Sequence, residues 1–363
     1  MKIRIKNIYK NTKKKPEIIL IKNSNEPFID ENFFYVTDLK TGLFEGAAAL
    51  LYPNGNVDLL VSELEAESAK KAKANISIYK DEKDFYKILK NKISSNKNIG
   101  INFRGITLNN FLKIKKNLPK ANFLDVTSSI DKTRLIKDEN EINLLKKSCK
   151  IADDVVEKIP EILYEGLYEY ELAAEINYLL QKNGAEKPAF ETISSFGKNT
   201  AEPHYSHGEA KLKKGDIVLC DFGACFNRYN SDITRSFIFG RANEKQKKMF
   251  EIVLLAQKIG FEKVVPGITT KEVHKAVEAV VNKTQFKGRF IHSTGHSIGL
   301  AVHDGSARIS YNSELKLREK MVFTIEPGIY IPGFGGVRIE DDILIKKQGI
   351  EILTKSAKEL IEI

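Results

Sequence analysis

Two pairs of carboxylates in the second half of the chain stand where hairpins would fold them against each other. In GDIVLCDFGACFNRYNSDITRSFIFG, residues 215–240, two strand-like arms flank a turn near Asn227, and Asp221 and Asp232 lie on opposite arms, expected nearly level. In TIEPGIYIPGFGGVRIEDDILI, residues 324–345, Glu326 and Glu340 each lie seven residues from Gly333, so a hairpin centred there brings them level. Acids facing each other across strands repel, and acids set in apolar runs such as IVLC and VFTI are costly without a cation. Two such pairs in one region point to bound metal.

Histidines supply a second donor type. His292, His296 and His303 are spaced by four and seven residues around Gly295 and Gly299, glycines that allow close backbone approach. His274 sits in KEVHKAVEAVV, a helical pattern, and reads as structural or exposed. Four carboxylates with one imidazole form a hard, oxygen-rich set that suits Mn²⁺ or Co²⁺ better than a structural zinc. Bridging carboxylates in such a set can hold two ions that activate a hydroxide. Other hydrolase chemistries fare worse. There is no G-x-S-x-G elbow, and GKNTAEPH and GFGG match neither a Walker A nor a Rossmann fingerprint. The three cysteines, Cys149, Cys220 and Cys225, are too few for a zinc quartet and read as small apolar core residues of a reducing compartment.

The elements that must position these residues divide into two patterns. Up to residue 127, short apolar runs at 17–21, 32–39 and 47–53, a hairpin at Asn54-Gly55, and alternating strands and helices describe an α/β domain with a mostly parallel sheet. Residues 63–74 are helical by composition. Residues 128–137 read as a linker opening the second domain, 128–363. There Ile142, Leu145, Cys149, Ala152 and Val156 recur at helical spacing, a second helix ends at Gly184, and two more span about 244–264 and 270–281. Antiparallel strand runs between them give an α+β domain. A chain of 363 residues accommodates two such cores.

Composition narrows the partners. The net charge of +10 comes from 58 basic residues, of which 48 are Lys and 10 are Arg, spread among Glu and Asp. Readers of bases and phosphates lean on Arg, so a solvated lysine-rich surface is expected rather than nucleic-acid binding. No run approaches the roughly 18 apolar residues of a membrane span, and the basic N-terminus lacks an apolar signal core. A cytoplasmic enzyme without membrane partners is the expectation.

The segments PHYSHGEAKLKKGDIVLCDFGA, SDITRSF, HSTGHSIGLAVHD, TIEPGIYIPG and GVRIEDDILI, taken in this order, resemble the pita-bread metallopeptidases of the aminopeptidase P and prolidase branch. The first domain resembles the N-terminal domain of the aminopeptidase P and creatinase branch. The resemblance implies that Asp221 chelates one metal, His296 and Glu326 hold the other, and Asp232 and Glu340 bridge them, with Mn²⁺ first and Co²⁺ or Zn²⁺ as alternatives. Glu326 would shuttle the proton from a bridging hydroxide to the leaving nitrogen. His204 and His303 would contact the scissile region, and His292 would lie near a proline pocket. Arg308 is the candidate for gripping a substrate carboxylate, at a spacing from His303 one residue longer than usual. Strand alternation turns Thr234 and Arg338 toward the same side as Asp232 and Glu340. By the same resemblance the apolar residues near Ile298 and Leu300 are expected to form the proline slot with His292 and His303.

The implied activity is Xaa-Pro aminopeptidase, acting as a homodimer on peptides with proline in second position. Asp304, which resembles the residue of some aminopeptidase P members where many prolidases carry Glu, tilts the reading that way; Xaa-Pro dipeptidase is the alternative. All five ligands disfavour a metal-free binding module or a creatinase-type hydrolase, and the long first domain disfavours a methionine aminopeptidase.

Overall fold

The computed structural model describes residues 1–93 and 97–363, which divide into two compact units, Met1–Arg134 and Leu135–Ile363. The first unit is built on a six-stranded sheet in the order Asn75–Tyr79, Val57–Ser62, Ala48–Leu51, Ile18–Lys22, Asn98–Ile101, Asn122–Asp125. The sheet is mixed. Ala48–Leu51 pairs antiparallel with both neighbours, and the other three pairings are parallel. Ile18, Leu20, Leu50, Leu60 and Ile99 bury one sheet face against Phe85 and Leu89 of helix Glu82–Lys92 and Ile114 of helix Leu108–Asn117.

Two local expectations change here. The aromatic run at 32–39 folds as helix Glu31–Thr37, because the Asp30 side chain accepts the Asn32 N–H and caps it. The composition-based helix at 63–74 shrinks to a short turn, Glu63–Glu65, and helix Ala66–Ala69, of which only Ala69 is buried. Charged side chains without a core-facing stripe cannot hold a longer helix.

Residues 128–137 hold the division between the two units, and they are mostly helical. Helix Thr127–Leu135 occupies most of the stretch, and Lys137 is fully buried in the second unit. Helix Glu139–Val156 follows, started by an Asp138–Glu141 capping box, and buries the expected face of Ile142, Leu145, Cys149, Ala152 and Val156. Helix Glu169–Lys182 ends before Gly184, whose φ of +102° only glycine adopts freely. These two helices pack on strands Ile217–Phe222 and Ile233–Ile238 through Leu172, Ile176, Val218 and Phe222. Helices Glu244–Lys263 and Thr270–Asn282 cover Ile217, Ile238, Ile329 and Val337 with Met249, Val253 and Val277. The second unit is thus a set of short antiparallel strands with helix pairs packed on them, the α+β arrangement expected.

Single bridges join its strand ladders. Thr234 pairs with Glu340, linking the first hairpin to the second, and Ser297 pairs with Phe323, linking the His296 segment to strand Val322–Ile325. The chemistry-bearing segments therefore share one backbone framework.

Candidate metal centre

The two hairpins meet expectation differently. Ile325 pairs with Asp341 and Gly328 with Arg338, so Glu326 and Glu340 stand level in the gap between the two ladders, as their spacing about Gly333 required. In the other hairpin Asn227 and Arg228, both at positive φ, make a two-residue turn, and the register pairs Asp221 with Thr234. Asp232 is therefore offset from Asp221 by two residues along the ladder rather than level with it, and it precedes strand Ile233–Ile238. Two residues is one full pleat period, so both acids still face the same side.

That side is a cleft of about 840 Å³, lined by all five expected ligands together with His204, His292, His303 and Arg308. At its base, ligand atoms of Asp232, His296 and Glu340 lie within 4.8 Å of one another. His296 Nε2 is 3.5 Å from Asp232 Oδ2 and 3.6 Å from Glu326 Oε1. The opposite ring nitrogen of His296 faces the Ser297 carbonyl at 3.4 Å, leaving Nε2 toward the acids. Burial and the adjacent His303 push His296 down to about 3, so its ring is neutral and able to coordinate. An added Cβ at Gly295 would collide with the Thr324 carbonyl, so glycine is what lets the His296 backbone press against the strand that carries Glu326.

The carboxylates are short of partners. Asp221 Oδ1 and Asp232 Oδ1 are buried without a hydrogen bond. Burial, then the mutual repulsion of the acids, raises Asp232 and Glu340 far above the usual carboxylate range, and burial lifts Glu326 to about 7. Buried acids of this kind hold protons unless cations replace them, and unpaired carboxylate oxygens lining one cleft are the donors a divalent ion requires. The residues present fit binding of hard divalent metal, with Asp232, His296 and Glu340 as the group whose ligand atoms converge.

Arg338 and Thr234 support the acids. Arg338 Nε donates to Thr234 Oγ1 at 3.0 Å, Thr234 Oγ1 donates to Glu340 Oε2 at 2.6 Å, and the Arg338 guanidinium grips Asp221 Oδ2. The sequence reading missed Tyr330, whose hydroxyl lies 2.8 Å from Arg338 Nη1 and 2.9 Å from His292 Nε2. Its alternation with Gly328 on the strand leaving Glu326 was the available signal. Also missed were Thr324, which donates to Glu326 Oε1 at 3.2 Å, and Asp342, which accepts the Asp232 N–H at 3.0 Å and which burial raises to about 8.

His274 is buried, 2.9 Å from Thr294 Oγ1 through Nδ1, which fits the structural of its two readings and not the exposed one, and it also lines the cleft. Of the apolar residues near Ile298 and Leu300, Ala301 and Val302 reach the cleft, while Ile298 and Leu300 themselves are core residues. Asp304 does not face substrate space at all, because its carboxylate is held by Lys137 at 2.6 Å in the interior. Its bearing on aminopeptidase specificity is thereby lost. Arg308, despite its unusual spacing, pairs with His296 across a two-residue ladder and lies on the cleft wall. Cys149, Cys220 and Cys225 are buried free thiols, as read.

Residues 143–347 match metallopeptidase family M24, and residues 11–136 match the creatinase/prolidase N-terminal domain. This chain belongs to metallopeptidase family M24. It is 44% identical to an Xaa-Pro dipeptidase of Pyrococcus horikoshii over 314 residues, 86% of this chain and 88% of that protein. The crystal structure of the prolidase from Pyrococcus horikoshii OT3 superposes with a TM-score of 0.89 at 39% identity, covering 99% of this chain and all of that one. The X-Pro aminopeptidase from Thermotoga maritima superposes with the same TM-score, 0.89, at 30% identity over 96% and 98% of the two chains. The M24 fold class is thus the expected one: a creatinase-type N-terminal domain and a pita-bread catalytic domain. M24 membership makes the chain a metallopeptidase, a hydrolase with divalent ions. No helix among the described residues is long and apolar enough to cross a membrane.

Proposed function

We propose that this M24 metallopeptidase is an Xaa-Pro dipeptidase. The observation that carries the reading is Arg308, opposite His296 in its ladder and on the wall of the cleft that holds the acids. A guanidinium there offers a two-pronged grip for the terminal carboxylate of a dipeptide, whereas a longer peptide presents a neutral amide at that point. The named dipeptidase at 44% identity supports the same choice over the aminopeptidase reading, whose sequence argument rested on Asp304.

Asp221, Asp232, His296, Glu326 and Glu340 would hold two divalent ions, with Mn²⁺ the proposed native metal. Ions bound there would supply Lewis acidity to a water molecule and to the scissile carbonyl. Glu326, beside the reacting atoms, takes the proton of the attacking water and returns it to the proline nitrogen. That nitrogen carries no hydrogen in the peptide bond, so the site needs a shaped slot for the ring rather than an acceptor for an amide proton. His292, fixed through Tyr330, and Val302 bound such a slot. His303 and His204 line the same cleft and donate to the carbonyl oxygen as it gains charge.

The test is kcat/KM for Xaa-Pro, Xaa-Pro-Xaa and Xaa-Ala under one set of Mn²⁺ conditions. Xaa-Pro is expected to be the preferred substrate. Preference for the tripeptide would return the case to aminopeptidase, and equal rates on Xaa-Pro and Xaa-Ala would refute the proline assignment.

A further inference from the structure

His303 sits on a segment, residues 297–304, that has little regular structure of its own. Its ring nevertheless lies 4.2 Å from that of His296, edge to face. Two anchors hold the segment. At its middle, Asn230 donates through Nδ2 to the Leu300 carbonyl at 2.9 Å and through its backbone N–H to the Gly299 carbonyl at 2.8 Å. At its end, immediately after His303, the Asp304 N–H donates to the Ser297 carbonyl at 2.8 Å, and its carboxylate meets Lys137 Nζ at 2.6 Å.

The second anchor is unusual in cost. Lys137 is 0% and Asp304 1% exposed, so both charges have left water entirely. Replacing a buried ion pair by well-packed apolar groups is often neutral or stabilising, so stability alone is a weak reason to keep one. The surroundings are shaped to it: a Cβ on Gly299 would collide with the Asp304 carboxylate and come within 2.8 Å of Lys137 Nζ. The backbone of Lys137 is in turn fixed. Its N–H donates to the Lys320 carbonyl at 2.9 Å, just before strand Val322–Ile325, which leads into Glu326.

We propose that the buried Lys137–Asp304 ion pair positions His303, tying the segment that carries it to the strand that delivers Glu326. Lys137 and Asp304 are positioning residues and touch no substrate. The directional charge-assisted bond sets the depth and rotation of the segment at the residue next to His303, which an apolar contact between two flexible side chains would not do. This inference rests on the role given above to His303.

The test uses the Zn²⁺-loaded, diamagnetic protein with ¹⁵N-labelled histidine, the His303 signal being identified by its absence in His303→Gln. The variants are Lys137→Met/Asp304→Asn, which removes both charges together, and Lys137→Met/Asp304→Leu, a wholly apolar replacement of the pair that serves if the first variant does not fold. The His303 ring signals should shift or broaden while those of His292 stay. On Ala-Pro, kcat should fall by about 10²-fold, the scale of a small misplacement of a reacting group, with KM nearly constant and metal content unchanged. An unmoved His303 signal in a folded variant overturns the proposal, as does a fall in kcat that tracks metal loss. A wild type inactive on Xaa-Pro whose variants still displace His303 defeats the dipeptidase reading and leaves the positioning role standing.

Discussion

Buried acids in this chain are held in two opposite ways, and Asp30 of the first unit contrasts with the cleft acids of the second. In the first unit Asp30 is 5% exposed, and its carboxylate is saturated by neutral donors: Asn102 Nδ2 at 2.8 Å on one oxygen, and the Asn32 N–H at 3.0 Å and Nδ2 at 2.8 Å on the other. In the second unit Asp221 and Asp232 each keep a buried oxygen with no hydrogen bond, and Glu326 and Glu340 converge on the same space. A carboxylate that only builds structure has its lone pairs filled by the protein. One that binds an ion leaves them open toward a common point, at a cost the ion offsets.

The contrast can be broken by changing each kind of acid in turn. Asp232→Asn or Glu340→Gln removes a proposed bridge and should abolish activity together with one or both ions. Unchanged metal stoichiometry in either purified variant would contradict the bridging role. His303→Ala should keep both ions and lose about 10²-fold or more in kcat, as for other groups that stabilise developing charge; metal loss in step with activity would show that His303 serves the ions instead.

The open acids should also reverse the usual effect of pH on stability. Glu326, at about 7, and Asp342, at about 8, hold protons in the folded state well above the range of an unfolded carboxylate, near 4. Stability from protonated groups of this kind is complete at acid pH and is lost as pH rises through the folded values. Chelator-stripped protein should therefore melt several degrees lower at pH 8.5 than at pH 6, a shift of about 2–4 °C per kcal/mol for a domain this size. Added ions should close the gap. A stripped protein that gains stability over this interval would mean the acids are not poised as described.

The smallest effect belongs to the saturated acid. Asp30→Asn exchanges an acceptor for a donor facing donors and should cost about 1–3 kcal/mol of stability. Metal content and kcat/KM should not change. Loss of metal in this variant would erase the distinction between the two kinds of acid.

What could be read from the sequence follows from the range of the interactions. The level pairing of Glu326 and Glu340 was legible because a tight hairpin about Gly333 fixes register locally. The Asp221 hairpin turned where expected, but the two-residue turn at Asn227 and Arg228 set a register that spacing alone did not count correctly. Helix faces such as Ile142 to Val156 were legible by period. The Lys137–Asp304 pair was not, since its members lie 167 residues apart and no local pattern marks them, and the contact of Tyr330 with His292, 38 residues away, was no more legible. For the same reason Asp304 was misread. Its likeness to the aminopeptidase P pattern said nothing of where it points, and its carboxylate is held in the interior by Lys137.

The most direct measurement is a metal titration of chelator-stripped protein, following Ala-Pro hydrolysis and bound ions together. Activity should be absent in the stripped protein and return with Mn²⁺ or Co²⁺ in step with occupancy, up to two ions per chain. Full hydrolysis by thoroughly stripped protein, or ions bound without recovery of activity, would contradict the claim that the open carboxylates form the catalytic metal centre.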